Sequence, residues 1–180
     1  MRGTDNVCYL NYKEYIDTLE KGKEKRIKPN IVKKALKDID VNDPFFDSLK
    51  TDYPDYTKWF AKKKKQGANA YVTVNKRHIT SLLMIKVENE EEDYGNFSKE
   101  MKKCRRLKIE TFKVEDTGKH IANTFIEIIK KKAIELKIEE IYITILDKHK
   151  ELINSLIKEG FYYYCIKNTN EKVYIKEIRN

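Results

Sequence analysis

The segment KVEDTGKHIANTF, residues 113–125, combines the residue types that hold phosphate groups in proteins. An apolar strand end leads through Gly118 into an amphipathic helical pattern, and Lys119 follows the glycine directly. Amides in the first turn of a helix lack partners within the helix and carry the positive end of its dipole, so residues 118–122 offer donors to a pyrophosphate. A lysine at a helix start opposes the dipole, which makes Lys119 a small indication of function. The segment predicts an anion-binding turn, and an ordinary strand-to-helix connection is the alternative.

Two common phosphate-binding motifs do not fit this turn. A P-loop requires G-x-x-x-x-G-K-[ST], but Lys113 lies five positions before Gly118, and His120 stands where Ser or Thr is required. A dinucleotide-binding fingerprint requires two further glycines, which this segment lacks. The sequence therefore excludes a P-loop nucleotidase and that fingerprint.

The strand pattern before the turn, LKIETFKVE at residues 107–115, changes phase. Leu107, Ile109 and Thr111 share one parity, whereas the next large apolar residues, Phe112 and Val114, have the other. A slip of one residue is what a β-bulge produces, and a bulge frees backbone groups from the sheet ladder. A strand buried on both faces is the alternative, since it needs no strict alternation. If this strand diverges from the next parallel strand, the crevice between them is the natural ligand site of an open α/β sheet.

The remaining periodicity predicts a mixed α/β sheet. Alternating runs at 70–74 and 79–88 predict a hairpin, and the acidic stretch 88–97 is predicted to be a mobile loop. The order then predicted is strand 107–115, helix 119–136, strand 140–146, helix 148–159, strand 161–167 and strand 173–178. This order implies a mostly antiparallel sheet of six to seven strands with flanking helices and one central βαβ crossover.

The first 43 residues are predicted to form a helical extension. Weak helical patterns at 9–19 and 31–39 are separated by the charged stretch EKGKEKRIKPN. Asp43 then has the place of a helix N-cap and Pro44 that of a first helical residue, with a break near Pro54 and a new start at Thr57. The chain is therefore divided into an extension, residues 1–43, and a main domain, residues 44–180.

The composition favours anionic partners. Lys and Arg number 38 against 29 Asp and Glu, and the formal net charge of +9 favours RNA or phosphorylated small molecules. A lysine-rich composition without functional meaning is the alternative. The three Cys and three His lie far apart without metal-ligand spacing, so neither a metal site nor a disulfide framework is predicted. No segment resembles a signal peptide or a membrane span, which predicts a soluble, cytoplasmic protein without a membrane partner.

Two segments together are similar to the GNAT acetyltransferases, the acetyl-CoA-dependent family in which a bulged strand precedes a pyrophosphate loop and a long helix. They are LKIETFKVEDTGKHIANTFIEIIKKKAIE and EEIYITILDKHKELINSLIKEGFYYYCIKNTNEKVYIKEI. The second contains a helix that ends in Gly160-Phe161 and a final hairpin, both typical of the family. With the element order, the resemblance covers residues 44–178.

The resemblance implies an N-acetyltransferase in which a primary amine attacks acetyl-CoA directly. Backbone donors near the bulge would hold the acetyl oxygen, and Glu110, beside the slip, is the candidate base. Tyr142 on the central strand, or one of the tyrosines 162–164, is the candidate for the acid that protonates the departing thiolate. The implied contacts to acetyl-CoA are made by Phe112, Lys113, Val114, Thr117, Gly118, Lys119, His120, Ile121 and Ala122.

Three positions depart from the family pattern. The family loop reads Q/R-x-x-G-x-G/A, whereas Thr117 stands at the Gln/Arg position and His120 at the inner glycine. Leu156 stands four residues before the glycine of Gly-Phe, where many members have a tyrosine acid. A catalytically impaired CoA- or RNA-binding module and a toxin of this family that acetylates aminoacyl-tRNA therefore remain as alternatives. The acceptor is otherwise the amine of a small molecule or a protein, and the chain is a monomer or a homodimer.

Overall fold

The computed structural model describes residues 29–115 and 120–178, which contain one seven-stranded sheet with the strand order β1-β2-β3-β4-β5-β7-β6. Parallel pairing joins β4 to β5, whereas β1–β2, β2–β3, β5–β7 and β6–β7 are antiparallel. The strands are β1 Val32–Ala35, β2 Asn69–Asn75, β3 His78–Glu88, β4 Arg106–Val114, β5 Glu140–Ile145, β6 Tyr162–Ile166 and β7 Lys172–Glu177. The helices are α1 Asp47–Asp52, α2 Tyr56–Lys65, α3 Ile121–Glu135 and α4 Lys150–Lys158.

This architecture confirms the predicted fold class, a mostly antiparallel sheet with one β4–α3–β5 crossover. The predicted hairpin corresponds to β2 and β3, and the closing hairpin to β6 and β7. The predicted N-cap is also present, because a side-chain oxygen of Asp43 accepts a hydrogen bond from the Phe45 amide at 2.9 Å. Pro44 begins the short 3-10 turn that leads into α1.

The helical interpretation of residues 31–39 is wrong. Residues Val32–Ala35 form β1, which pairs antiparallel with β2, and only Leu36–Asp38 form a 3-10 turn. Leu36 and Ile39 are buried in the core but Val32 is exposed, so the apparent helical spacing arose from residues in two different elements. Pairing with a neighbouring strand thus overrides a weak local pattern. The helical pattern at 9–19 lies outside the described residues, and the division of the chain at residue 43 stays a prediction.

The described residues fall into two compact units. One consists of residues 29–84, 111–115, 120 and 121, and its core contains an aromatic cluster. Phe46 packs edge-on against Phe45 and Phe60, with ring centroids 5.2 and 5.5 Å apart. Offset and edge-to-face aromatic pairs contribute beyond the apolar area they bury, so this cluster fixes α1 and α2 against β2 and β3.

The other unit consists of residues 85–110 and 122–178. Its core includes Met101, Tyr142, Cys165, Val173 and Ile175, packed against Tyr94 and Phe97 from the β3–β4 connection. That connection is anchored to the end of β6, because the Ser98 amide donates to the Ile166 carbonyl at 2.8 Å. The predicted mobile loop 88–97 is therefore held by defined contacts in part of its length.

Within residues 29–115 and 120–178, no helix has both the length and the apolar character needed to cross a membrane.

Candidate active site

The burial of β4 changes phase near its C-terminal end. Leu107, Ile109 and Thr111 are buried, and the next buried residue is Val114, three positions further on. Phe112 and Lys113 between them are half-buried. In a regular alternation one residue separates two buried positions, but two residues separate Thr111 from Val114. The extra residue is what a β-bulge produces. Lys108, Glu110, Phe112 and Lys113 are all half-buried, so the alternative of a strand buried on both faces does not describe β4.

The pairing of β4 with β5 marks one end of the site. The parallel register runs from Arg106 opposite Glu140 to Ile109 opposite Ile143. In this register Lys108 lies opposite Tyr142. Because side chains alternate along a strand, Glu110 follows Lys108 on the same face of β4. Glu110 is thus the first residue of that face beyond the last pair.

The predicted anion-binding turn is described only in part. Thr117, Gly118 and Lys119 lie outside the described residues, whereas His120 precedes α3 directly and Ile121 and Ala122 are buried in its first turn. His120 has φ +52°, the left-handed conformation that glycine adopts without strain. This value explains physically why a glycine suits the position, and histidine is among the residues that tolerate it better than most.

Lys113 uses its side chain within its own compact unit. The ammonium group lies 2.7 Å from Ser48 Oγ and 2.6 Å from Glu115 Oε1, and 4.4 Å from the centre of the Phe45 ring. Any contact from Lys113 to a ligand is therefore expected from its backbone. The side chain of Val114 is buried, so any contact from Val114 to a ligand is also expected from its backbone. The side chain of Phe112 is half-buried.

A buried carboxylate, which sequence reasoning missed, lies beside the predicted residue Tyr142. Glu88 is the last residue of β3, and only 2% of it is exposed. Its Oε2 accepts hydrogen bonds from the hydroxyl groups of Tyr142 at 2.7 Å and Tyr94 at 2.8 Å. Its Oε1 lies 3.3 Å from Lys86 Nζ and 4.0 Å from Lys108 Nζ. We call Glu88, Tyr142, Tyr94, Lys86 and Lys108 the Glu88 cluster.

The environment of Tyr142 bears on its predicted role as an acid. Its side chain is buried, and Tyr94 and Phe97 pack edge-on against the ring. Burial, followed by the negative charge of Glu88 and the hydrogen bond to it, raises the pKa of Tyr142 well above its usual value of 10.0. A useful catalytic acid has a pKa near the working pH, so this shift has the unfavourable direction. The catalytic role of Tyr142 stays a prediction, and the structure shows its hydroxyl group holding Glu88.

The two lysines of the cluster differ in how they are held. Lys86 also pairs with Glu92, at 3.2 Å, and its pKa is raised because the attraction of Glu88 and Glu92 outweighs the opposing effect of burial. Burial lowers the pKa of Lys108, and the attraction of Glu88 and Glu110 offsets this only in part. The predicted base Glu110 is half-buried on the same face as Lys108. One face of β4 thus combines an amine of lowered pKa with a carboxylate.

A second polar network lies at the β6–β7 turn. The buried Glu171 accepts hydrogen bonds from Thr169 at 2.6 Å, Thr144 at 3.2 Å and Lys167 at 3.3 Å. Burial raises the pKa of Glu171, but these partners outweigh it, so the net shift is downward. The turn is therefore fixed to β5 through Thr144, two residues beyond Tyr142.

Comparison with solved structures shows the fold of N-acetyltransferases. NAA60 of Arabidopsis thaliana in complex with acetyl-CoA matches with a TM-score of 0.54 and 12% identity, over 83% of this chain and 99% of that chain. PaiA N-acetyltransferase of Thermoplasma acidophilum in complex with coenzyme A matches with a TM-score of 0.55 and 11% identity, over 82% and 99%. Ard1 of Thermoplasma volcanium matches with a TM-score of 0.56 and 12% identity, over 83% and 97%. No protein-family model matches the chain, and no curated protein matches it in sequence.

Proposed function

The chain has the fold of the GNAT N-acetyltransferases, and on this premise we propose that it transfers the acetyl group of acetyl-CoA to a primary amine by direct attack. The observation that carries the proposal is the phase change of β4 at Phe112 and Lys113, a few residues before α3 begins. A change of phase of this kind is typical of a β-bulge, which bends the strand and re-aims its groups next to a ligand site. Structures of similar fold have been solved with acetyl-CoA and with CoA, which supports acetyl-CoA as the donor.

We assign the donor site to the turn between β4 and α3. The amides of Phe112, Lys113 and Val114 are proposed to hold the acetyl oxygen, and those of residues 117–122 the pyrophosphate. Ala122 fits this assignment because its small side chain is fully buried in the first turn of α3. The positive φ of His120 fits it too, since this backbone conformation favours glycine, the residue that the family pattern has at this position.

In the proposed reaction the protein contributes mainly by positioning the acceptor amine against the acetyl group. An acceptor amine must lose a proton before it attacks, and Glu110 is the proposed base, acting directly or through a water molecule. The carbonyl oxygen gains charge in the transition state, and amides already in place stabilise it without reorganisation. Tyr142 is proposed to support this site through its hydrogen bond to Glu88.

Peptide amines are the acceptor class that the similar structures favour. NAA60 of Arabidopsis thaliana was solved with a bisubstrate analogue, and the NatC complex was solved with a Gag peptide and CoA, with a TM-score of 0.50. A protein or peptide amine is therefore proposed as the acceptor ahead of a small molecule. Binding of RNA to the basic surface, cytoplasmic location and the oligomeric state stay predictions.

We expect the purified protein to release free thiol from acetyl-CoA when it is given peptides with a free N-terminal or lysine amine. The same peptides with all amines acetylated are the matched control and should release none, because the reaction consumes the amine. Mass spectrometry of the peptides should show one added acetyl group for each thiol released. Binding of acetyl-CoA without thiol release over a broad panel of amines would instead favour the catalytically impaired module.

A further inference from the structure

We propose that Lys108 is a further catalytic residue of this enzyme, the group that takes the proton of the acceptor amine while Glu110 holds the ammonium. The inference rests on the proposed function and refines the part of Glu110 in it. Lys108 lies on β4 two residues before Glu110, on the same face. Successive residues of a strand rise by about 3.3 Å, so the two Cα atoms are about 7 Å apart.

The groups of the Glu88 cluster differ in how far a substrate can reach them. Tyr142 and Glu88 are almost fully buried, with 1% and 2% exposed, and the carboxylate of Glu88 accepts hydrogen bonds from Tyr142, Tyr94 and Lys86. The side chain of Lys108 is 30% exposed. Lys108 therefore links the buried carboxylate to the half-buried face on which Glu110 lies.

The charge of Lys108 depends on the groups around its ammonium. Glu88 is shared among four partners, because its Oε2 takes two hydroxyl groups and its Oε1 lies closer to Lys86, at 3.3 Å, than to Lys108, at 4.0 Å. The ammonium of Lys108 also lies over the ring of Tyr142, with Nζ 5.8 Å from the ring centre. The pKa of Lys108 is lowered by burial, and the positive charges of Lys167 and Lys86 add to this, whereas Glu88 and Glu110 oppose it.

A base takes a proton from the substrate most readily when its pKa is close to that of the substrate. Carboxyl groups ordinarily have a pKa near 4 and alkyl ammonium groups one near 10, so a carboxylate is a weak acceptor for the proton of an ammonium. General base catalysis is most efficient when the pKa of the base lies near the working pH, and the downward shift of the pKa of Lys108 has that direction. A lysine amine next to a carboxylate therefore allows two separate roles. The carboxylate attracts the ammonium of the acceptor, and the lysine amine accepts its proton.

The acceptor ammonium loses two protons in the proposed reaction. One proton moves from the acceptor ammonium to the neutral Nζ of Lys108. The neutral amine forms the N–C bond, the C–S bond of the thioester breaks, and CoA leaves as a thiolate. The thiolate takes the second proton from the acylated nitrogen, directly or through water, and Lys108 returns its proton to solvent. No separate acid is needed, which accommodates Leu156 at the position of the family's tyrosine.

The test compares the pH dependence of kcat/KM, with a peptide acceptor, among variants of the two lysines. Lys108→Arg keeps a cation beside Glu88 but cannot accept a proton. Lys108→Met keeps an unbranched side chain but has neither a positive charge nor a group that accepts a proton. Each should lower kcat/KM about 100-fold or more, and Lys108→Ala should be rescued in part by a tertiary amine, which accepts a proton but cannot be acetylated. Lys86→Arg, the matched control on the same carboxylate, should stay within about threefold of the wild type.

The sign of the pH dependence follows from the charges around Lys108. Activity should rise with pH as Lys108 loses its proton, so the lower limb of the profile reports its pKa. Lys86→Met removes a positive charge that lowers this pKa, and the limb should move to higher pH. Glu110→Gln should raise KM and keep the limb, which should move to lower pH because the charge of Glu110 raises the pKa of Lys108.

Three results would overturn the assignment of Lys108. They are unchanged kcat/KM and pH profile in Lys108→Arg and Lys108→Met, loss of the limb in Glu110→Gln alone, and an NMR titration of Lys108 at or above the ordinary value for lysine. The NMR titration needs no turnover, so it separates failure of this inference from failure of the proposed function. Wild-type protein that releases no thiol with any amine would refute acetyl transfer itself.

Discussion

Replacement of Arg106 by methionine is expected to lower the free energy of unfolding by about 3–5 kcal/mol. Arg106 is 1% exposed, its Nε donates to Glu140 Oε2 at 2.8 Å, and its guanidinium group lies over the Tyr94 ring. Methionine leaves the Glu140 carboxylate buried without a cation, which costs more than the ion pair itself contributes. For a chain of this length the melting temperature should fall by about 10 °C, measured by circular dichroism.

Two further variants distinguish the effect of the unpaired Glu140 carboxylate on stability from the effect of lost packing. The double variant Arg106→Met/Glu140→Leu removes both charges and should regain most of the lost stability, because an apolar pair often replaces a buried ion pair without loss. Arg105→Met is the matched control at an exposed neighbour and should change the free energy of unfolding by about 1 kcal/mol or less. A double variant as unstable as the single one would show that packing, and not the uncompensated carboxylate, dominates.

Replacement of His120 by glutamate is expected to weaken binding of acetyl-CoA about 30-fold, or about 2 kcal/mol. His120 immediately precedes α3, so a carboxylate there competes with the pyrophosphate for the helix N-terminus and repels it. The same carboxylate interacts favourably with the helix dipole, so the melting temperature of the protein without ligand should not fall below that of His120→Gln, which has the same strained φ. Calorimetric titration measures the affinity, and a thermal melt without ligand gives the stability.

His120→Gln is the control for this prediction. Glutamine is similar in size to glutamate and takes the same strained φ of +52°, but it carries no charge. It should bind acetyl-CoA within about threefold of the wild type. Equal affinities for the glutamate and glutamine variants would place the pyrophosphate away from this turn and contradict the donor site.

Elements with a strong local pattern could be predicted from the sequence. The hairpin β2–β3 and the crossover β4–α3–β5 have clear periodicity, and their bounds agree with the structure to within about two residues at most ends. The phase change of β4 was also visible, because it is a property of consecutive residues. β1 was missed because four residues of weak pattern become a strand only through pairing with β2.

The Glu88 cluster could not be found by sequence reasoning because its members come from four parts of the chain. Glu88 ends a hairpin strand, Lys108 and Tyr142 lie opposite each other on β4 and β5, and Tyr94 belongs to an acidic loop. No spacing along the sequence relates these residues. Only the sheet order β3-β4-β5 places the three strands side by side.

The most direct test of the central claim is a calorimetric titration of acetyl-CoA into the wild-type protein. Saturable binding at one site per chain is expected, with similar affinity for CoA, because the shared pyrophosphate arm supplies most of the contacts. That affinity should be lost in His120→Glu and kept in His120→Gln. Absence of heat and of any rise in melting temperature up to millimolar acetyl-CoA would contradict the claim that the β4–α3 turn binds the donor.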